Sequence, residues 1–189
     1  MKLLIGIDEV GRGAWAGPLV VGAVVLEREI AGLKDSKLLS RLARVRIAKE
    51  IYDEAVYIAL GWASASEIDD MGLTQSTTLA CERALLNAPK NIPIIIDGKY
   101  NYLPNLTNSA TLVNGDKLIP GISAASIVAK VGRDKYMYEQ ASIYPGYGFD
   151  TNVGYGTKLH LDSIQQQGLT PLHRLSYKPI RNVLNKYEA

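Results

Sequence analysis

Residues 5–26 read IGIDEVGRGAWAGPLVVGAVVL, and this stretch contains the features that decide the fold. The apolar segment that ends at Asp8 predicts a β-strand over residues 2–8. The β-branched run at 19–26 is typical of a strand buried on both faces of a sheet, and we expect the two strands to pair. Between them, residues 9–18 contain three glycines and a proline, so this segment is predicted to be a turn with unusual backbone angles.

The rest of the chain alternates between predicted strands and helices, which indicates an α/β fold. Ser40 is a suitable N-cap for a helix that runs to about Tyr52 and carries several arginines. The small residues that follow Ile122 predict a helix that packs closely against a sheet and ends before Pro145. Glycines among the aromatic residues of 144–157 favour a loop. The other predictions are strands at 55–63, 93–96 and 107–113, and helices at 74–88, at 158–167 and from Ile180.

Length and composition limit the class of protein. With 189 residues, 47% hydrophobic and 21% charged, the chain is predicted to form a single globular domain over residues 1–189. The single cysteine, Cys81, lies among apolar residues, which favours a buried thiol in a reducing compartment. No segment has the length and apolarity of a signal peptide or a membrane span, so we expect a cytoplasmic protein.

Charge is unevenly distributed, although the net charge is only +2. Residues 28–49 contain seven Lys and Arg residues against two acids, whereas residues 50–97 contain eight acids against two bases. A basic segment beside an acidic one is compatible with a polyanion-binding face next to a metal site. A solvated helix surface is the more common explanation, so charge alone identifies no partner.

Four carboxylates follow predicted strands and are the candidate catalytic residues. Asp8 and Glu9 end the first strand, and Asp97 ends a later one. Asp116 follows the strand after that, although Asp-Gly and Gly-Asp pairs taken singly are more typical of turns. Acids that converged at adjacent strand ends would repel one another unless hard divalent cations neutralised them, with Mg²⁺ the natural candidate and Mn²⁺ a substitute. Two such ions about 4 Å apart can activate a water and stabilise the leaving oxygen of a phosphodiester.

The turn after the first strand contains a Gly-Arg-Gly sequence. Glycines at 11 and 13 let the backbone approach a ligand, and the amides of such a turn can donate to phosphate or sugar oxygens. Arg12 is placed either to anchor the turn or to add a charged contact. Sugar kinases and actin-like ATPases also have a first strand that ends in Gly-Ile-Asp before a glycine-rich turn. Glu9 and the short chain argue against that class.

Six sequence blocks, in the same order along nearly the whole chain, resemble the bacterial ribonuclease HII family of type 2 ribonucleases H. They are IGIDEVGRGAWAGPLVVGAVVL, LKDSKLLS, IIIDGKYNYL, GDKLIPGISAASIVAKVGRDKYM, GYGFDTNVGYGTKLHLDSI and LHRLSYKPI. The resemblance implies a ribonuclease H-like fold, in which helices flank a mixed central sheet. It places the core at about 1–142 and a helical C-terminal extension at about 143–189. It also implies that four residues bind metal and catalyse: Asp8, Glu9, Asp97 and Asp116.

The resemblance implies substrate-binding roles for five residues: Gly11, Arg12, Gly13, Lys37 and Tyr155. The glycine-rich turn would recognise the ribose 2′-hydroxyl beside the scissile phosphate. The tyrosine would stack on the deoxyribose after the ribonucleotide, and the lysine would contact a phosphate, with the basic helix close to the nucleic-acid backbone. His160 and His173 match no metal position of the family, and we interpret both as structural or backbone-contacting.

The activity that the resemblance implies is metal-dependent endonucleolytic hydrolysis of RNA paired with or embedded in DNA. A cut 5′ of the ribonucleotide would leave a 3′-hydroxyl and a 5′-phosphate, with two ions of Mg²⁺ or Mn²⁺ and a metal-activated water. The expected partners are RNA/DNA hybrids and ribonucleotide-containing duplex DNA, with a monomer as the default and no membrane or protein partner evident. The alternatives are a hybrid-binding module with weak catalysis and a sugar-kinase-like phosphotransferase.

Overall fold

A five-stranded mixed sheet, ordered β3-β2-β1-β4-β5, lies at the centre of the protein. The computed structural model describes residues 3–33 and 39–187. The strands are β1 (Ile5–Val10), β2 (Leu19–Val25), β3 (Tyr57–Ala63), β4 (Ile94–Asp97) and β5 (Ser109–Leu112). The helices are α1 (Arg41–Glu54), α2 (Ala65–Leu85), α3 (Gly115–Leu118), α4 (Pro120–Ile143), α5 (Phe149–Asn152), α6 (Lys158–Gln167) and α7 (Lys178–Tyr187). The predicted α/β class, with helices around a mixed sheet, is confirmed.

Strand β1 is the central strand, pairing antiparallel with β2 and parallel with β4. All seven residues of β2 are buried, as the apolar run predicts. The prediction that the first strand ends at Asp8 is wrong, because the ladder continues through the pairs Glu9↔Val21 and Val10↔Val20. Glu9 therefore belongs to the strand, and the turn is shorter than predicted.

Helix α4 touches the backbone of the sheet at two strand glycines. A Cβ atom at Gly6 would lie 2.2 Å from the carbonyl carbon of Gly121, and one at Gly22 would lie 2.4 Å from the carbonyl oxygen of Ala125. The small residues of the helix and the missing side chains of the strands together permit this approach. The predicted close packing of this helix on a sheet is confirmed.

Helix α2 covers the opposite face of the sheet and buries Cys81, as predicted. It begins at Ala65, nine residues before the predicted start at 74. A capping box starts it, because the Ser64 hydroxyl accepts from the amide of Glu67 while the Glu67 carboxylate accepts from the amide of Ser64. Gly72 then adopts φ 81°, and the helix bends there.

The C-terminal residues pack against the end of α4 and the turn after β1. Their core contains Phe149, Ile164 and Ile180, which contact Met137 and Ala16. The segment 144–157, predicted as a loop, contains the single helical turn α5. No helix in the described part of the chain is long and apolar enough to cross a membrane. The boundary between a core and an extension near residue 143 stays a prediction.

Substitution Gly6→Ala is expected to lower the free energy of unfolding by about 3 kcal/mol, because the new methyl group would meet the backbone of α4 rather than a movable side chain. Gly132→Ala is a matched control, since its methyl would meet side-chain atoms only: the terminal carbon of Leu60 at 2.6 Å, which can move, and a ring carbon of Trp62 at 3.8 Å. The control should change stability by less than about 1 kcal/mol. Urea unfolding of both variants tests this, and equal effects would contradict the assigned constraint.

Candidate active site

The carboxyl ends of β1 and β4 bring two predicted site residues together. Ile7 pairs with Ile96 in the parallel ladder, and Asp8 and Asp97 are the next residue on each strand. Because the strands are adjacent and run the same way, the two carboxylates emerge at the same edge of the sheet. Two acids that are 89 positions apart in sequence, by their residue numbers, therefore become neighbours.

Asp8 has an unusual electrostatic environment. Its Oδ1 atom accepts a hydrogen bond of 2.8 Å from the amide of Glu9. Burial raises the pKa of Asp8 to about 7, a hydrogen bond from Ser126 on α4 opposes the increase, and the charges of Glu9 and Asp97 add to it. With this pKa, the carboxyl group of Asp8 retains its proton in a substantial fraction of the molecules near neutral pH when no cation is nearby.

Glu9 shares this environment. Burial raises the pKa of its carboxyl group above the ordinary value, the neighbouring guanidinium of Arg12 opposes the increase, and the charge of Asp97 adds to it. The Arg12 Nε atom lies 3.7 Å from the Glu9 Oε1 atom. Glu9, Asp8 and Asp97 are therefore one electrostatically coupled set.

Asp116 lies beside this set through a backbone link. The Oδ1 atom of Asp97 accepts a hydrogen bond of 2.7 Å from the amide of Gly115, the residue before Asp116. Asp116 is 2% exposed, and the hydroxyl of Ser123 on α4 donates to its carbonyl oxygen. Among residues 3–33 and 39–187, however, no three acids, histidines or cysteines are arranged as a group that could hold a metal ion. The assignment of the four acids as metal ligands stays a prediction.

The Gly-Arg-Gly turn follows β1 directly and is anchored by its arginine. Gly11 has φ +90°, a conformation that side chains rarely permit. The Nη1 atom of Arg12 donates to the hydroxyl of Tyr102 at 2.6 Å and to that of Thr77 at 3.1 Å. Of the two roles predicted for Arg12, the structure shows the anchoring one.

Two fully buried arginines hold the carbonyl groups of the same turn. The Arg133 guanidinium donates to the carbonyl oxygens of Pro18 and Ala16, and Arg174 donates to those of Gly17 and Arg12. Burial lowers the pKa of Arg133 to about 10, which leaves it charged at neutral pH. Sequence reasoning missed both residues, although an arginine among the small residues of α4 needs a specific partner and was a usable indication.

Tyr155 lies next to the turn, although it follows Gly13 by 142 positions in the numbering. A Cβ atom at Gly13 would be 4.0 Å from Cε1 of the Tyr155 ring. The carbonyl oxygen of Gly154 accepts hydrogen bonds from the amides of Trp15 and Ala16, which joins the two segments. The structure thus places the predicted tyrosine beside the predicted glycine turn.

The two histidines contact each other and the backbone near Tyr155. Their Nε2 atoms are 3.0 Å apart, and Nδ1 of His160 lies 2.9 Å from the carbonyl oxygen of Tyr155. The Nδ1 atom of His173 accepts from the amide of Thr170 at 2.9 Å. Burial lowers the pKa of both rings, that of His173 to about 4 with a smaller effect from His160.

The remaining predicted substrate contact, Lys37, lies outside the described residues. In the basic helix α1, the Arg41 guanidinium lies 5.1 Å from the centre of the Tyr138 ring, and Arg44 donates to the carbonyl oxygen of Leu39. These two arginines are held against the protein rather than fully solvated. Their contact with nucleic acid stays a prediction.

The chain resembles known proteins over nearly its whole length. A family model described as Ribonuclease HII matches residues 5–180. Ribonuclease HII from Dichelobacter nodosus is 43% identical over 188 residues, which cover 96% of this chain and 97% of that protein. Ribonuclease HII from Thermus thermophilus is 45% identical over 178 residues, which cover 94% and 87%.

Solved structures agree on the fold. Ribonuclease H2 from Pyrococcus horikoshii superposes with a TM-score of 0.83 at 23% identity, covering 99% of both chains. This likeness confirms the predicted ribonuclease H-like fold. With the family match and the two bacterial relatives, it leads to one conclusion: the chain belongs to the ribonuclease HII family and is a ribonuclease H, an endonuclease that hydrolyses phosphodiester bonds.

Proposed function

We propose that this chain hydrolyses the RNA strand of RNA/DNA hybrids and cuts 5′ of single ribonucleotides in duplex DNA, with divalent metal ions as cofactors. The products would carry a 3′-hydroxyl and a 5′-phosphate. The observation that carries the proposal is the coupled set of Asp8, Glu9 and Asp97 at adjacent strand ends. The Gly11–Gly13 turn follows one of these strands, and Tyr155 lies beside it. The family assignment leaves no basis for the phosphotransferase alternative.

The chemistry of the acids fits Mg²⁺ or Mn²⁺. Carboxylate oxygens are the ligands that such hard ions prefer, and a bound cation would replace the proton that the raised pKa of Asp8 favours. A type 3 enzyme of the same fold, Bst-RNase HIII, has been solved in complex with Mn²⁺; its TM-score to this chain is 0.76 at 24% identity, covering 98% of this chain and 70% of that one. When bound, two ions would activate a water and stabilise the leaving oxygen.

The four acids divide into two pairs in this proposal. Asp8 and Asp97 would hold the ions from the paired ends of β1 and β4, where strand pairing fixes both backbones. Glu9 and Asp116 would complete the site and position the water or the leaving group. The hydrogen bond from the amide of Gly115 fixes one oxygen of Asp97, so its carboxylate is already oriented for this task.

The turn would recognise the ribonucleotide through its backbone. The side chain of Arg12 is engaged with Thr77 and Tyr102, and its carbonyl oxygen accepts from Arg174 and Tyr177. Because the side chain and the carbonyl group of Arg12 are both engaged with protein partners, the amides of the turn are the donors that would meet a 2′-hydroxyl. This hydroxyl is what distinguishes RNA from DNA at a single position.

Cleavage of a labelled DNA duplex that contains one ribonucleotide tests the proposal. We expect incision just 5′ of the ribonucleotide with Mg²⁺ or Mn²⁺, none with EDTA, and none in an all-DNA duplex. A continuous RNA/DNA hybrid should also be cut. Cutting of the hybrid alone would overturn the proposed recognition of single ribonucleotides. Binding without cutting would instead support the hybrid-binding module.

Asp8→Asn is expected to abolish metal-dependent cleavage and to change the pH dependence of stability. Because the folded-state pKa of about 7 exceeds the ordinary 3.8, the free energy of unfolding of the metal-free protein should fall as pH rises from about 4 to 7. Asparagine stays neutral, so its contribution should not change over that range. Urea unfolding in EDTA at several pH values measures the difference. Substantial hydrolysis by a folded variant would refute the catalytic role.

Gly13→Ala is expected to leave the fold intact and weaken substrate binding. Its methyl group would meet no atom closer than the Tyr155 ring at 4.0 Å, but it would fill the space between the turn and that ring. We expect KM for the single-ribonucleotide duplex to rise roughly tenfold, about 1.4 kcal/mol of binding free energy. Gly132→Ala, a substitution away from the turn, serves as the control and should leave KM unchanged. An unchanged KM in the Gly13 variant would show that the turn does not approach the sugar.

A further inference from the structure

Tyr155 is held in place through its backbone, its neighbours and the Arg133 guanidinium, which lies 5.5 Å from the centre of its ring. Its amide donates to the carbonyl oxygen of Asn152 at 2.9 Å. Gly154 lies so close to the turn that an added Cβ atom would be 2.2 Å from the carbonyl oxygen of Ala16, and one at Gly156 would be 2.1 Å from the Trp15 ring. The orientation of the ring therefore depends also on how residues 154–156 are fixed. The carbonyl oxygen of Tyr155 accepts from a ring nitrogen of His160 and from the amide of Thr157, both at 2.9 Å.

One set of tautomers satisfies the shortest hydrogen bonds around the two histidines. The Nδ1 atom of His173 lies 2.9 Å from the amide of Thr170 and 3.0 Å from its hydroxyl, which can also donate, whereas the Thr170 carbonyl oxygen is farther away at 3.3 Å. The amide of Thr170 is a donor, so Nδ1 of His173 must accept and its Nε2 must carry the proton. That proton points to Nε2 of His160, which is thereby the acceptor and leaves Nδ1 of His160 as the donor to Tyr155. The chain of donors runs from Thr170 through both rings to the carbonyl oxygen of Tyr155.

This series of hydrogen bonds requires both imidazole rings to be neutral. A second proton on His160 would place two N–H groups against each other at 3.0 Å, and a second proton on His173 would remove the acceptor for the amide of Thr170. The rings of Trp15, Tyr147 and Phe149 surround His160. Burial among these rings disfavours a charged imidazole.

The segment that holds His173 also contacts the glycine turn. His173 forms an antiparallel bridge with Ala16, and the next residue, Arg174, donates its amide to Trp15 and its guanidinium to Arg12. The histidine pair thus connects the elements on both sides of the gap between Gly13 and Tyr155.

We propose that His160 and His173 are positioning residues that orient Tyr155 toward the nucleotide in the glycine turn. The pair acts through the hydrogen bond from His160 to the carbonyl oxygen of Tyr155, with His173 fixing the tautomer. This inference rests on the proposed function, because it assigns a purpose to the histidines only if Tyr155 contacts substrate.

Four variants test the inference: His160→Ala, His160→Asn, Tyr155→Ala and the double variant His160→Ala/Tyr155→Ala. The Asn amide nitrogen can replace Nδ1 as the donor to Tyr155, whereas Ala cannot. Ser163→Ala is the control. Ser163 lies on α6 with His160, and its loss removes hydrogen bonds to the carbonyl oxygens of Gly146 and Leu159 but none to Tyr155. The measurements are kcat and KM on the single-ribonucleotide duplex, its Kd in EDTA, and thermal unfolding.

We expect His160→Ala to raise KM and Kd about three- to tenfold, the scale of one lost hydrogen bond, with little change in kcat. The Asn variant should stay within about twofold of wild type, and the double variant should match Tyr155→Ala because both act through one ring. The control should lose stability without a change in KM.

The outcomes separate the two proposals. If Tyr155→Ala weakens binding but folded His160→Ala does not, or if the double variant shows additive effects, the positioning role is overturned and the proposed function stands. If Tyr155→Ala binds normally, the substrate role of the tyrosine fails and the inference fails with it. Should His160→Ala not fold, an Asn variant with tenfold weaker binding would overturn the inference by itself.

Discussion

The close contact of α4 with the sheet is the constraint on which the rest of the structure depends. Because strand glycines let the helix backbone touch the strand backbone, the adjacent face of the helix reaches both parts of the site. Ser126 donates to Asp8, and Arg133, two turns further along, reaches the carbonyl oxygen of Pro18. A close-packed contact transmits displacement rather than absorbing it. A shift of this one helix would therefore move the acids and the glycine turn together.

The buried arginines give the glycine turn its rigidity. A buried charge is costly unless it is hydrogen-bonded, and here the partners are backbone carbonyl groups of the turn itself. Arg133 and Arg174 thus stabilise a segment with too few side chains to form a core of its own. These arginines contact a turn whose proposed ligand is the ribose 2′-hydroxyl beside the scissile phosphate, so the groups that anchor the turn also add positive charge near the nucleic-acid backbone.

Features that depend on neighbouring residues could be predicted from the sequence, whereas contacts between residues far apart in the sequence could not. The strand-end acids and the small-residue helix follow from period and composition, and both are found. The first turns of α2 were missed although the Ser64–Glu67 capping box lies in the sequence, because Gly72 argues against a helix there and only tertiary packing tolerates the bend. The His160–His173 contact has no local pattern at all, since it depends on how α6 meets the chain 13 residues further on.

The acid site shows why ion binding, pH dependence and fold cannot be separated in this protein. Asp8 and Asp97 follow residues that are paired in a parallel ladder, so the strand pairing holds their backbones side by side. Burial disfavours the charged form of Asp8, the charges of Glu9 and Asp97 add to this effect, and the raised pKa of Asp8 favours a proton on this group up to about neutral pH. Any divalent ion at this edge therefore competes with that proton, and its affinity must increase with pH over the same range in which the metal-free fold loses stability.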